Sequence, residues 1–596
     1  MNSDSNQSVL GFTWQQKKFD ERLATSIRQH FQLSEPLSNL LSSREISLSE
    51  VENFLDPKIK TSLPNPFELG GMEQAVSHVI AAIHSKKKIT IFADYDVDGA
   101  SSSALLRRFF REIGVDVAIY IPDRVLEGYG PNSQALLNLK KSGTDLVITL
   151  DCGTVAFKPL EDAAKAGLEI IVIDHHLGVL ERPEAIAVIN PNLLDEKFPH
   201  KNLCAAGVTF LFAVAINKRL RDEKFYEEKK EPNLLDLLDL VALGTVCDVM
   251  PLTGLNRAFV AQGLKILKQR KNLGLREICD LSGLNEEPSA YHLGFVIGPR
   301  INAGGRVGKS DLGARILSSE DESEVQAIAQ QLEILNKQRK EIEVQVLDEA
   351  VKALESGIGD FKTSDSVIFA VSKNWHQGVI GIVASRLKDL YNRPVAVIAI
   401  DDSGKKGKAS CRSISGIDFG AEILNARLEV LLLEGGGHAM AGGFSVLPEK
   451  ISELHQFFCK NLGERIAELT AEKKSEFDIA LDLAQVNIEL LEELAKLEPF
   501  GVGNARPKFI LRDVRKVSAK LIGQTGEHIS CTFSAKSALG FSGNIQAVAF
   551  RSASTPLAEI LLDQKFNKSL NLVGTLNINS WMGVQKVQMI IEDIIL

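Results

Sequence analysis

The sequence predicts a multidomain α/β protein: a parallel-sheet domain, a long connecting helix, a second α/β domain and a C-terminal all-β barrel. Three observations predict it. Short apolar runs alternate with helical patterns from Met72 onwards and again after Ser366. Neither Gly nor Pro occurs between Ser319 and Gly357. The last ninety or so residues (on the order of one small barrel) show period-two alternation.

Each element follows from its pattern. The segment to about Leu69 reads as helical, with Ser47-x-x-Glu50 as a capping box before VENFL and a Pro- and Asn-containing exit, SLPNPFELGG. Met72, Ala75, Val76, Val79, Ile80 and Ile83 mark one helical face. The runs ITIFA (89–93), VAIYI (117–121), LVITL (146–150), EIIVI (169–173) and AIAVI (185–189) are apolar throughout, as strands covered on both faces should be. After Pro251 the chain is helical, then glycine-rich at GPRINAGGRVG (298–308), which reads as a loop that admits a backbone. Val325, Ile328, Leu332, Leu335, Ile342, Val346, Ala350 and Leu354 keep helical spacing, either as an interdomain connector or as an ordinary long surface helix. A second α/β unit follows: SVIFAV (366–371), a helix from Gln377 to about Leu390, PVAVIAI (394–400) and the glycine-dense EGGGHAMAGG (434–443). HISCTFS, NIQAVAF and NLVGTLNI then alternate as barrel strands. The expected domains are 1–70, 71–255, 256–360, 361–462 and 463–596.

Composition narrows the function classes. With 596 residues, 44% hydrophobic and 24% charged, the chain is an ordinary globular protein of several cores. No apolar run approaches the roughly 20 residues needed to cross a bilayer, so no membrane role is expected. MNSDSNQSVLGFTW has no secretory pattern, and the seven scattered cysteines form no CxxC, so a reducing cytoplasm is expected. The net charge of −9 argues against coating nucleic acid by bulk charge, although Ala505 onwards holds 11 Lys/Arg against 6 Asp/Glu.

The chemistry lies in the acids. Asp94 directly follows ITIFA in ADYDVDG, Asp151 follows LVITL in DCGT, and Asp174 follows EIIVI in DHH. Ligands of open parallel sheets bind just beyond the carboxyl ends of strands, so three strands deliver carboxylates to one edge. Asp96, Asp98, His175, His176 and the later Asp248 in CDVMPL extend the set. Carboxylates gathered in a cleft repel one another unless cations neutralise them. Oxygen ligands with imidazole suit Mn²⁺ or Mg²⁺, and Asp151 is the best candidate to bridge a pair of ions. A single strand-end acid is ordinarily a helix cap, and Asp98 could merely cap the next helix. Three in order, one followed by two histidines, point to phosphoester chemistry.

ADYDVDG, DCGT, DHH and CDVMPL, in this order, resemble the motifs of the DHH phosphoesterase superfamily. Within it the chain is similar to the bacterial single-strand-specific 5′→3′ exonucleases. NLLSSREIS, VENFLDP, IPDRVLEGYG, GPRINAGGRVG, WHQGVIGIVASRL, GGGHAMAGG and EPFGVGNARPKF carry the resemblance along nearly the whole chain. Ala93, where many relatives have Gly, departs from the pattern.

The resemblance implies a DHH catalytic domain, a DHHA1 domain and an oligonucleotide-binding (OB) barrel. It implies two divalent ions held by Asp94, Asp96, Asp98, Asp151, His175 and Asp248. Asp151, Asp174, His175 and His176 form the catalytic set, His176 contacting the scissile phosphate or leaving group and Asp174 orienting a histidine. Arg124, Asn302, Arg306, Ser410 and Arg412 match blocks that grip the DNA and its 5′ phosphate, guanidinium groups suiting phosphate oxygens; His438, beside glycines that admit substrate, is either a contact or a core histidine, and His376 either touches DNA or caps the next helix. In the barrel, Phe533, Phe550 and Trp581 are candidates to stack on bases or to fill its core. The implied activity releases nucleoside 5′-monophosphates from single-stranded DNA in repair and recombination. The implied partners are a DNA 5′ end, single-strand binding protein and a helicase, with the protein itself a monomer. Two other readings stand beside it: a small-molecule or short-oligonucleotide phosphodiesterase or a pyrophosphatase, which the extra barrel and long connector disfavour, and a single-strand-binding or replication-scaffold protein on a decayed nuclease fold, which the presence of every expected acid disfavours.

Overall fold

The computed structural model describes residues 8–124, 126–356, 360–471, 473–536, 542–581 and 584–596. The chain divides into two compact units: Met1–Ser62, Leu252–Gly254 and Glu472–Leu596 form one, and Leu63–Pro251 with Leu255–Ala471 the other.

The first unit begins with β1 (Thr13–Gln16) and helices α1 (Glu21–Phe31), α2 (Glu35–Ser43), α3 (Val51–Leu55) and α4 (Ile59–Ser62). The expected capping box at Ser47 is only half made. Glu50 accepts from the Ser47 N–H at 3.0 Å, but the Ser47 hydroxyl turns to the same carboxylate instead of a helix N–H, and α3 starts one residue after Glu50.

The second unit opens with α5 (Met72–His84), which buries Met72, Ala75, Val76, Val79 and Ile80 of the predicted face and leaves Ile83 half-buried, and then winds β2 (Ile89–Ala93), α6 (Val97–Glu112), β3 (Ala118–Tyr120), α7 (Ser133–Lys141), β4 (Leu146–Leu150), α8 (Phe157–Lys165), β5 (Glu169–Ile173) and β6 (Ala187–Ile189). The five strands pair in parallel in the order β3-β2-β4-β5-β6. β2 and β4 are buried at every residue, which explains their unbroken apolar runs. Helices α9 (Ala205–Asp222), α10 (Leu238–Cys247), α11 (Gly254–Leu267) and α12 (Leu273–Leu281) follow.

Next come α13 (Ala290–His292), a π-helical turn at Leu293–Ile297, and α14 (Gly298–Val307). The glycine-rich GPRINAGGRV segment is therefore a helix, not the loop its composition suggests. Its glycines serve close packing: a Cβ on Gly304 would meet Lys309 O, Leu312 and Leu332. After α15 (Leu312–Ser318), the predicted long helix is α16 (Glu322–Glu355), 34 residues and about 50 Å in length. It packs against α12, α14 and α15 at one end and against α17 (Ile380–Tyr391) and β7 (Ile368–Ser372) at the other.

β7 belongs to a second sheet with β8 (Val395–Ile400), β9 (Gly407–Arg412), β10 (Glu434–His438) and β11 (Ala441–Val446), ordered β10-β11-β9-β8-β7. α18 (Phe419–Leu428) and α19 (Ile451–Thr470) complete this part. No described helix is long and apolar enough to cross a membrane.

The first unit resumes with β12 (Lys474–Phe477), which pairs with β1, then β13 (Ile479–Leu481) and α20 (Ile488–Leu494). β14 (Phe509–Ile522), β15 (His528–Lys536), β16 (Ser542–Ala549), α21 (Pro556–Leu561), β17 (Leu570–Trp581) and β18 (Val584–Ile595) form a barrel. It closes through the β14–β17 and β16–β18 pairings. The N-terminal segment is fastened to it by the buried Asp593 carboxylate, which accepts from the Ser8 hydroxyl, Leu10 N (3.2 Å) and Trp14 Nε1 (2.9 Å). Asp593→Ala leaves these donors without an acceptor. It should cost about 1–3 kcal/mol in urea unfolding and shift tryptophan emission to the red.

Candidate active site

The acids at the ends of β2, β4 and β5 are pinned by their own main chain. Asp94 N donates to Leu150 O (3.3 Å), Asp151 N to Ile173 O (3.0 Å) and Asp174 N to Ile189 O (3.0 Å). Each acid thus hangs on the last residue of the neighbouring strand. The strand order reverses between β2 and β4, so Asp94 and Asp151 flank the crevice at the switch point. Asp151 takes a left-handed backbone, φ 63°. Helix α6 starts directly over Asp94; a Cβ on Gly99 would fall 2.3 Å from Asp94 O, so only glycine fits.

Hydrogen bonding sorts the acids. Asp96 caps α6, accepting from Asp98 N (2.9 Å) and Gly99 N (3.0 Å). Asp98 caps no adjacent helix; its two oxygens accept from Ala205 N (2.6 Å) and Ala206 N (2.9 Å) at the start of α9. Asp174 is saturated. Oδ2 accepts from Thr154 N (3.0 Å), and Oδ1 from His175 N (2.8 Å), His176 N (3.2 Å) and His176 Nδ1 (2.8 Å). It therefore orients His176.

By contrast, Asp94 Oδ1, Asp151 Oδ1, His175 Nε2 and Asp248 Oδ2 are buried with no hydrogen-bond partner among the described residues. His175 Nε2 lies 3.2 Å from Asp151 Oδ1, 3.4 Å from Asp248 Oδ2 and 3.9 Å from Asp98 Oδ2. Lone pairs crowded this way call for a cation between them.

The ligand atoms fall into two main groups, Asp94–Asp96–Asp151 and Asp98–His175–Asp248, which meet where Asp151 approaches His175. A third grouping adds His176 to Asp151 and His175, but its Nδ1 is already engaged by Asp174.

The electrostatics agree. Burial, reinforced by neighbouring carboxylates, holds Asp94 and Asp151 well above the usual carboxylate range and raises Asp98 to about 7 and Asp248 to about 9. Burial lowers His175 to about 4, leaving a neutral imidazole suited to a metal. Burial also works against charge on His176, but the hydrogen bond and charge of Asp174 raise it to about 9. Burial opposes ionisation of Asp174 too, yet His176 and Thr154 hold it below the usual range. An oxygen-rich set with one neutral imidazole fits Mn²⁺ or Mg²⁺.

A basic strip lies alongside. Arg124 stands over the ring of Tyr95, 5.0 Å from its centroid, and Tyr95 separates Asp94 from Asp96 in the chain. Arg306, on α14 one turn after Asn302, donates to Gly378 O (2.9 Å). Burial and the charges of Arg124, Arg339 and Arg412 push its guanidinium down to about 10. On β9, Lys408, Ser410 and Arg412 alternate with the buried Ala409 and Cys411 and so share a face. A Cβ on Gly381 would meet Ser410 Oγ at 2.9 Å, so α17 begins directly against this face. Across the sheet, Arg412, Ala441 and His438 stand in one row, and Ser410, Gly443 and Gly436 in the next. The exposed His438 is no core histidine. His376 Nδ1 accepts from Gly378 N (3.0 Å) and so shapes the turn before α17.

Among the described residues no carboxylate pairs with Arg124, Arg306 or Arg412, so the surface salt bridge, the ordinary fate of an arginine, does not account for them. Three unpaired guanidiniums facing a lysine and a glycine-floored sheet suit a phosphate.

In the barrel, Phe533 is wholly buried and belongs to the core, whereas Phe550 is 52% exposed beside His528. The Trp581 side chain lies outside the described residues.

Sequence reasoning missed Tyr129, Asn190, Asn192 and Lys408. Tyr129 touches His176 and Asp151. Asn190 and Asn192 donate to His176 O (2.8 Å) and His175 O (2.6 Å). They follow AIAVI, so the strand-end argument that found the acids would have found them too.

Three family models match the chain: DHH family, N-terminal domain, at 88–245; DHHA1 domain at 364–464; and RecJ OB domain at 477–593. The single-stranded-DNA-specific exonuclease RecJ of Bacillus subtilis (strain 168) is 30% identical over 582 residues, covering 97% of this chain and 70% of that protein. The exonuclease of the same name from Haemophilus influenzae is 33% identical over 547 residues, covering 91% and 93%. The crystal structure of RecJ with Mn²⁺ from Thermus thermophilus superimposes with a TM-score of 0.77 at 27% identity, covering 98% of this chain and 79% of that one. The corresponding Mg²⁺ complex gives 0.72.

Replacing Asp151 by Asn removes the charge where the two ligand groups meet. Mn²⁺ affinity in calorimetric titration should fall about 100-fold or more, while Arg412→Ala should leave it within about twofold.

Proposed function

Because the chain belongs to the RecJ family of single-stranded-DNA-specific exonucleases, we propose that it hydrolyses single-stranded DNA from the 5′ end, releasing nucleoside 5′-monophosphates in repair and recombination. The observation that carries this reading is the pairing of two cation-ready ligand groups with a strip of unpaired guanidiniums in the same compact unit. Asp94, Asp96 and Asp151 would hold one divalent ion and Asp98, His175 and Asp248 a second, supplying Lewis acidity toward the phosphoryl oxygens and the attacking water.

The chain's own residues do the rest. Asp151, at the junction of the two groups, fixes their spacing. Asp174 holds Nδ1 of His176, which leaves Nε2 as the nitrogen presented to the leaving oxygen. Arg306, Ser410 and Arg412, with Arg124, Lys408 and His438 around them, receive the 5′ phosphate. Tyr95 joins the two regions, so a phosphate gripped in the strip brings the following phosphodiester to the acids. Registering the cut from the chain end in this way makes the enzyme an exonuclease. The barrel, with Phe550 exposed and Arg512, Arg515 and Lys520 along β14, offers further surface to a single strand.

Oligonucleotides labelled at either end test this. With Mn²⁺ or Mg²⁺, the 5′ label should appear at once as mononucleotide and the 3′ label only after progressive shortening. EDTA should abolish both. Degradation from the 3′ end, or equal attack on blunt duplex, refutes the proposal. Arg412→Ala should raise KM for 5′-phosphorylated strands about tenfold or more while changing KM for 5′-hydroxyl strands little, which competition kinetics will show.

A further inference from the structure

We propose that Tyr129 is a positioning residue of the reaction centre, one phenol fixing both the left-handed turn at Asp151 and the ring of His176. Its kinetic readout rests on the nuclease reading; its metal-binding readout does not. Tyr129 Oη donates to Asp151 O at 3.0 Å. That carbonyl belongs to the residue with φ 63°, where β4 ends and the orphaned Oδ1 begins its approach to His175. That backbone is uncommon for a residue with a side chain, although aspartate tolerates it better than most, and a donor on the carbonyl holds it in place. The same Oη lies 3.2 Å from His176 Nδ1, and the two rings meet edge to face at 5.8 Å.

The hydrogen bookkeeping is restrictive. The phenol O–H is spent on Asp151 O, so toward His176 the oxygen offers only a lone pair. His176 Nδ1 must therefore carry the proton, shared between Asp174 Oδ1 at 2.8 Å and Tyr129 Oη. Its ring is held from two sides, with Nε2 directed to substrate.

Tyr129 is 51% exposed, so its hydroxyl, not core packing, explains its place. Its own position is braced by Glu127, which accepts from Tyr120 Oη (2.7 Å), Asp123 N (2.9 Å) and Asn132 Nδ2 (3.2 Å). Arg124 lies three residues before that brace, so phosphate-binding strip and reaction centre share one supported segment.

The test is Tyr129→Phe in the full chain, which keeps the ring and removes the hydroxyl. On 5′-phosphorylated single strands kcat should fall about tenfold or more, with KM within about twofold and the melting temperature within about 2 °C. Mn²⁺ titration without DNA should show affinity weakened about threefold or more. Because Tyr129 acts partly through His176, the loss of kcat from Tyr129→Phe should be smaller in a His176→Ala background than in the wild type, the remainder coming through Asp151. Wild-type kcat and Mn²⁺ affinity in Tyr129→Phe would overturn the proposal. So would full additivity in the double variant, or a loss confined to KM or to melting temperature. If the wild-type protein leaves single strands intact, the nuclease reading fails, and the Mn²⁺ titration alone decides the role of Tyr129.

Discussion

Like charges forced together beyond the ends of adjacent strands set the terms for this structure. Neighbouring strands stand roughly 4.8 Å apart, so Asp94 and Asp151 are placed side by side by the sheet itself. Burial then adds a desolvation cost that no exposed acidic cluster bears, visible in the upward shifts of Asp94, Asp98, Asp151 and Asp248. Much of the surrounding fold answers that cost. The N-terminus of α9 is turned onto Asp98, the Thr154, His175 and His176 amides onto Asp174, and the first turn of α6 onto Asp96. Among the described residues of this cluster, Asp94 Oδ1, Asp151 Oδ1, His175 Nε2 and Asp248 Oδ2 remain buried and unanswered, and each belongs to a group that could hold a divalent cation.

The opposite imbalance stands beside it. Arg306 is pushed down by burial and by other guanidiniums, so this region lacks negative charge as the acidic cluster lacks positive charge. An anionic ligand beside the arginines and divalent cations among the aspartates would correct both at once. Among the described residues neither group forms a direct salt bridge to the other, so both imbalances persist side by side.

Helix α16 joins the two elements that border the arginines, α14 and α17. Its middle buries Asn336, Arg339 and Glu343 in an otherwise apolar seam. Glu343 takes Arg339 on its own helix and Arg386 on α17, at 3.4 Å. A buried ion pair adds little net stability, but it tolerates few alternative registers. Here the register matters, because α14 carries Arg306 and α17 abuts Ser410 and Arg412. The placement of Arg306 relative to Ser410 and Arg412 is thus set by helix packing.

Sequence by itself determined the alternation of strands and helices, the long helix, the barrel strands and the set of acids, because each is a local pattern. An apolar run ends where the main chain leaves the sheet, and the residue after it must lie on the edge. Asp94, Asp151 and Asp174 were legible for that reason, and the blocks around Arg306, Arg412 and His438 through resemblance. Tertiary structure decided what each acid does. The partners of Asp98 lie 107 and 108 residues away, and those of Tyr129 lie 22 and 47 residues away. No local pattern encodes them. It also turned GPRINAGGRV into a helix, since small residues let α14 press against Tyr95 and α16 and so outweighed their poor helix propensity. The acidic cluster could be read from the chain; its division into saturated supports and orphaned ligands came from hydrogen bonds that exist only once distant segments meet.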